Sequence, residues 1–173
     1  MSDLGPTLDA RTILEALNRH GVDYVVIGAW AVEAQGIVRS NPTRDVDVSP
    51  RVERANLDRL SSALTELGAR IRTTAVPEGL VFDHDGASLG RSIMWNLVCP
   101  AGEFDLAFAP AGFANGFADL IGTAVTVELA GGLRIRVAAV ADVTRSKRLA
   151  GRDKDVRALP EIVEQARKLG LID

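Results

Sequence analysis

The spacing of apolar side chains divides the chain into alternating helical and extended stretches. Ala10, Ile13, Leu14 and Leu17 recur at i, i+3, i+4 and i+7, one apolar face of a helix over residues 8–20, with Thr7 placed to cap it and Gly21 to end it. Tyr24-Val25-Val26-Ile27 is instead a continuous apolar run, the pattern of a strand covered on both faces. It delivers the chain to Gly28 and a short helix over Trp30 to Gln35, which Gly36 stops. After a loop over residues 37–42, Thr43-Arg44-Asp45-Val46-Asp47-Val48 alternates polar and apolar positions as a strand does. Leu57, Leu60, Leu64 and Leu67 mark a helix from about Glu53 to Leu67 with Gly68 as its stop, and Arg70 to Thr73 can form a strand.

The second half is richer in hairpins. Residues 74–92 carry Pro77, Gly79, Gly86 and Gly90 with little periodicity, which predicts a long loop able to cover a substrate, with His84 as a surface residue on it. Ile93–Val98 and Glu103–Phe108 read as a hairpin turning at Pro100 to Gly102, and Val125–Val137 as another turning at Gly131-Gly132, with a short helix over Phe117–Gly122 between them. Asp142 is placed to cap a helix running to Ala150, Gly151 breaks it, and a final helix carries Leu159, Ile162, Val163, Ala166 and Leu169 on its apolar face.

Composition narrows the classes. With 173 residues, 47% hydrophobic and 25% charged, the chain reads as a single globular domain over 1–173 with enough apolar side chains for a core. The longest apolar run, Tyr24 to Val32, is too short to span a bilayer, and Met1-Ser2-Asp3 begins neither a signal nor a transit peptide; the expected location is the cytoplasm. One cysteine, Cys99, makes no internal disulfide, and with His20 and His84 the only histidines a zinc site is not expected. The net charge of −3 argues against a surface broadly adapted to nucleic acid.

Chemistry concentrates in the second strand. Successive strand side chains face opposite sides, so Asp45 and Asp47 share one face while Val46 and Val48 share the other. Adjacent carboxylates repel unless neutralised, and hard oxygen donors at this spacing suit Mg²⁺ bound together with substrate phosphates; the alternative is a wet polar face. Asp105, flanked by Phe104 and Leu106, is a further acid that needs a partner, either a metal shared with Asp45 and Asp47 or an arginine. Gly28 permits close approach of a ligand to the backbone, and the helix opening beyond it presents amides to a phosphate. Arg39 and Arg44, flanking the loop, hold phosphate or are solvated. Arg145, Lys147, Arg148, Arg152, Lys154 and Arg157 form a basic cluster against Asp153 and Asp155, either a solvated helix face or the cations for a triphosphate.

Taken in order, Gly28-Ala29-Trp30, Thr43-Arg44-Asp45-Val46-Asp47, Phe104-Asp105-Leu106 and the segment Ser146 to Asp155 resemble the nucleotidyltransferase-fold proteins of the AbiEii/MenT toxin kind, over nearly the whole chain. The resemblance implies an α/β (α+β) fold, a mixed β-sheet flanked by helices. It also implies transfer of a nucleoside monophosphate from a nucleoside triphosphate, with two Mg²⁺ ions, onto an acceptor that in such toxins is the 3′ end of tRNA, in a toxin–antitoxin pair. Carried over by position, Asp45, Asp47 and Asp105 would be metal ligands and catalytic acids, with Asp105 the candidate base. Gly28 and Ala29 would face phosphate through backbone amides, and Arg44, Lys147 and Arg152 would bind the nucleotide. Asp155 would orient one of these cations or, the reading preferred, cap the last helix. Relatives commonly carry an arginine two positions before the motif threonine, whereas Arg39 precedes Thr43 by four. The same Gly28-Ala29-Trp30-Ala31-Val32 and Thr43-Arg44 also resemble small-molecule adenylyltransferases of the aminoglycoside or lincosamide resistance kind, and an acidic protein suits a cationic acceptor. A nucleotide-binding module without turnover is the rival from another class.

Overall fold

A computed structural model describes residues 5–173; Met1-Ser2-Asp3 lie outside the described residues. The elements follow the order α1 (Ala10–Arg19), β1 (Tyr24–Ile27), α2 (Gly28–Glu33), β2 (Asp45–Pro50), α3 (Arg54–Leu67), β3 (Arg70–Ile71), α4 (Gly86–Leu89), β4 (Met94–Cys99), β5 (Gly102–Ala107), α5 (Phe117–Leu120), β6 (Val125–Leu129), β7 (Leu133–Val137), α6 (Val140–Ala150) and α7 (Asp153–Lys168). The strands form a seven-stranded mixed sheet in the order β3-β4-β5-β2-β1-β7-β6. β2 pairs antiparallel with β1 and parallel with β5, and β1 pairs parallel with β7. The charged strand β2 therefore lies in the sheet interior, with Val46 and Val48 buried on one face.

The interior position explains the apolar run of β1, whose Val25 and Val26 are fully buried. α1, α3 and α4 pack as one group of helices, and α2, α6 and α7 as another. The core joins Ile13, Leu14 and Leu17 of α1 to Leu60 and Leu64 of α3, Phe104 and Leu106 of β5 and Ile162 of α7. No described helix is long and apolar enough to cross a membrane.

Several local expectations shift. Asp9, not Thr7, caps α1, its carboxylate accepting from the Thr12 amide at 3.1 Å. Asp142 sits inside α6 rather than at its cap, with its carboxylate engaged by the Thr123 hydroxyl. The stretch 74–92 is not a cover over a substrate. It contains α4, closed by a capping box at Asp85 and Ser88, and packs on α3. His84 is half-buried there, 2.7 Å from the Ser61 hydroxyl and against the Phe82 ring. Along α7 the buried apolar positions are Ala158, Ile162 and Ala166, while Leu169 is exposed beyond the helix end.

Asn56 ties the backbone entering β1 to the backbone leaving β2. Fully buried, its side-chain oxygen accepts from the Asp23 amide at 2.7 Å, and its amide donates to the carbonyls of Asp23 at 3.0 Å and Arg51 at 2.8 Å. Asn56→Ala strands these backbone groups without partners, and a loss of about 2–3 kcal/mol in urea unfolding is expected.

Candidate active site

Strand register brings the three acids together. Asp47 on β2 lies directly opposite Asp105 on β5, and on its other side opposite Ile27, the last residue of β1. Asp45 is two residues back on the same face of β2. One carboxylate oxygen from each of the three lies within 4.8 Å of the others. Burial pushes Asp47 up to about 7, and repulsion from Asp45 and Asp105 adds to it more than Lys154 and Lys147 take away. Asp105 is likewise raised by burial, against the opposing pull of Arg72.

The surrounding residues fit themselves to this cluster. Gly28 opens α2 at φ +69°, and a Cβ there would collide with the Asp47 carboxylate; the close approach and the backbone conformation both require glycine. Thr43 donates its hydroxyl to Asp45 at 2.7 Å, while its amide is held by Glu33 at 2.9 Å. Arg72 donates to Asp105 at 2.9 Å and to Glu103 at 2.5 Å. Asp105 thus has the arginine partner as well as a place in the acidic cluster.

Facing the acids is a cationic wall from α6 and α7. Lys147 donates to Asp155 at 3.1 Å and Arg152 to the same carboxylate at 2.7 Å. Burial works against the charge on the fully buried Asp155, but the hydrogen bonds from Arg152 and Lys147 outweigh it and hold its carboxyl below the usual range. The capping role expected for Asp155 is therefore corrected: α7 is preceded by Arg152 with no side-chain cap, and Asp155 grips two cations instead.

The walls enclose a cleft of about 890 Å³. Gly28, Ala29, Arg44, Asp45, Asp47, Asp105, Lys147 and Arg152, each singled out from sequence, all line it, and no residue of 74–92 does. Arg44 is exposed on its rim. Arg39 also lines it, with its side chain only 11% exposed and 3.5 Å from Glu33.

One side of the cleft is the segment 38–43, and it is fastened from two directions. Gln165 on α7 accepts from the Val38 amide at 2.8 Å, Glu161 accepts from the Ser40 amide at 2.7 Å, and Glu33 on α2 holds Thr43. Sequence reading missed Glu33, Arg72, Glu103, Glu161 and Gln165. For Arg72 there was a signal, since Asp105 among hydrophobes demanded a partner; Glu161 and Gln165 meet partners over a hundred residues away, and Glu33 and Glu103 carry no local pattern that marks them.

The model of the aminoglycoside-2''-adenylyltransferase family matches residues 9–92. No curated protein sequence matches the chain. Among solved structures, antibiotic-resistance factor ANT(2'')-Ia in solution superposes with a TM-score of 0.56 at 16% identity, over 90% of this chain and 81% of its own. ANT(2'')-Ia in complex with adenylyl-2''-tobramycin gives 0.55 at 16% identity, over 94% and 90%. The lincomycin-bound lincosamide antibiotic adenylyltransferase LnuA gives 0.52 at 13% identity, over 90% and 97%. The chain has the nucleotidyltransferase fold, and the proteins it resembles are nucleotidyltransferases, adenylyltransferases among them. These comparisons do not support the AbiEii/MenT kind, a tRNA acceptor or an antitoxin partner.

The Asp47 shift gives a pH signature. Its folded pKa of about 7 lies above the ordinary value of 3.8, so the folded state holds a proton that the unfolded chain has released between those values. Stability of the metal-free protein therefore falls as pH rises through this window. Asp47→Asn is expected to raise the melting temperature at pH 8, by roughly 2–4 °C per kcal/mol relieved, and to change it little at pH 4. Scanning calorimetry in chelator checks this, and an equal effect at both pH values would show that Asp47 is not the strained group.

Proposed function

We propose that this chain is a metal-dependent nucleotidyltransferase that moves a nucleoside monophosphate, adenylate foremost, from a nucleoside triphosphate onto a hydroxyl of a small cationic acceptor. The observation that carries the proposal is the convergence of Asp45, Asp47 and Asp105 to within 4.8 Å opposite Lys147 and Arg152 in one cleft.

The donor set fits a hard divalent cation: it is all carboxylate oxygen, and Asp47 is strained by neighbours that the nearby lysines only partly offset. Mg²⁺ held by Asp45, Asp47 and Asp105, two ions in the fullest form of the proposal, would neutralise triphosphate charge and acidify the acceptor hydroxyl. Thr43 fixes the Asp45 carboxylate, and Gly28 leaves room for Asp47 to turn toward its neighbours. Asp105 is the carboxylate to take the acceptor's proton. Lys147 and Arg152, pre-set by Asp155, neutralise the charge that builds on the departing pyrophosphate without having to reorganise. The amides at Gly28 and Ala29 and the guanidinium of Arg44 complete the nucleotide contacts.

A small acceptor is favoured over tRNA on three grounds. The family match and the drug-bound neighbours point that way. The cleft has the volume of a small-molecule site. The net charge of −3 is unfavourable for a surface that must hold a polyanionic RNA and favourable for a cationic acceptor.

The decisive measurement supplies each α-labelled triphosphate with Mg²⁺ to an aminoglycoside and lincosamide panel and, in parallel, to total tRNA. Label from ATP on an aminoglycoside, lost in Asp47→Asn, is the expected outcome. Label on tRNA alone would restore the toxin-like reading, and label on neither would leave a nucleotide-binding module. A second expectation concerns Asp155. Asp155→Ala leaves Lys147, itself 13% exposed, without its partner, and should cost about 3–5 kcal/mol in urea unfolding.

A further inference from the structure

Arg72 follows the short edge strand β3 and continues its pairing, its amide donating to the Asn96 carbonyl on β4 at 2.9 Å. Asn96 lies opposite Asp105, so the Arg72 guanidinium reaches across β4 to the acid on β5. There its fork closes on two carboxylates, Nη2 donating to Asp105 Oδ1 at 2.9 Å and Nη1 to Glu103 Oε2 at 2.5 Å. Glu103 is itself the register partner of Asp45. The Arg72 side chain is 24% exposed and that of Asp105 15%, so the contact is largely shielded from water.

One oxygen of Asp105 is thereby committed to a guanidinium. While that pair stands, a cation has to compete with the guanidinium for Oδ1, so binding through the other oxygen is favoured over chelation through both. The distinction matters chemically, because Mg²⁺ demands near-octahedral geometry with single oxygens, whereas Ca²⁺ takes six to eight oxygens and readily accepts both from one carboxylate. We propose that Arg72 is a positioning residue that makes Asp105 a one-oxygen ligand and so sets the site's preference for Mg²⁺ over Ca²⁺. This rests on the proposed metal-dependent function.

The test is calorimetric titration of the full chain with MgCl₂ and with CaCl₂, for the parent, Arg72→Gln and Arg72→Lys. Loss of positive charge alone would tighten both dications, and a general distortion would weaken both; neither moves their ratio. Freed from its partner, Asp105 can chelate, and Arg72→Gln should shift the ratio toward Ca²⁺ by about tenfold. Lysine keeps the charge but has no planar fork to span two carboxylates, so Arg72→Lys should shift it the same way by less. Where Arg72→Gln does not fold, Arg72→Lys and Glu103→Gln, which removes the second anchor of the guanidinium, carry the comparison. An unchanged ratio in the folded variants, with Asp47→Asn abolishing binding, overturns the role of Arg72 alone. A parent that binds neither ion, or binds both as tightly as Asp47→Asn does, overturns the metal site and the role of Arg72 with it.

Discussion

Two carboxylates facing each other across a parallel strand pair, with a third two residues away, are the constraint around which this molecule is arranged. Parallel pairing of β2 and β5 in register holds Asp47 against Asp105, and burial strengthens their repulsion because the interior screens charge poorly. The fold answers from both sides. Arg72 reaches in from the sheet edge to bind Asp105, while Lys147 and Lys154 lie toward the other side of the cluster and draw Asp47 partway back. Neither relieves the strain entirely, and a site left short of positive charge is prepared for a cation that arrives with substrate.

The cationic wall follows a different logic. Lys147 and Arg152 would be poor phosphate ligands if each had to be ordered from solution, and Asp155 removes that cost by fixing both from below. A buried acid is costly without partners, and Lys147 and Arg152 supply them to Asp155. Asp155 lines the cleft beside the two cations it holds, with both of its oxygens taken by them.

How much of this was legible in the sequence depends on distance along the chain. Asp45 and Asp47 could be placed on one face because alternation within a strand is a local property, and Gly28 because a glycine between strand and helix is a local signal. Asp105 stood out by its apolar flanks and Lys147 by its basic neighbours. The nucleotidyltransferase fold followed from the order of these motifs. What the sequence concealed was pairing: which cation meets which acid is decided by sheet order and helix docking. Asp155 was misjudged for this reason, since its position near a helix start fits a cap as well as it fits a buried anchor. Residues 74–92 misled in another way. Gly86 and Gly90 there permit close approach to Asp58 and Leu57 of α3, on a short helix closed by Asp85 and Ser88 that lines no part of the cleft.

The fastening of 38–43 to α7 bears on how the molecule comes into being. Val38 and Ser40 find their partners 127 and 121 residues later, at Gln165 and Glu161. A chain emerging from the ribosome folds from its N-terminal side first, so β1, α2 and β2 are available long before the helix that secures the segment between them. Until then that wall of the cleft is held only through Glu33 at Thr43, and its two anchors on α7 are missing. Loop closures of this span are slow to form because their entropy must be met before the contact returns anything. The last fastening of the cleft thus waits on α7, and a chain halted before it would carry the three clustered acids with residues 38–40 unsecured.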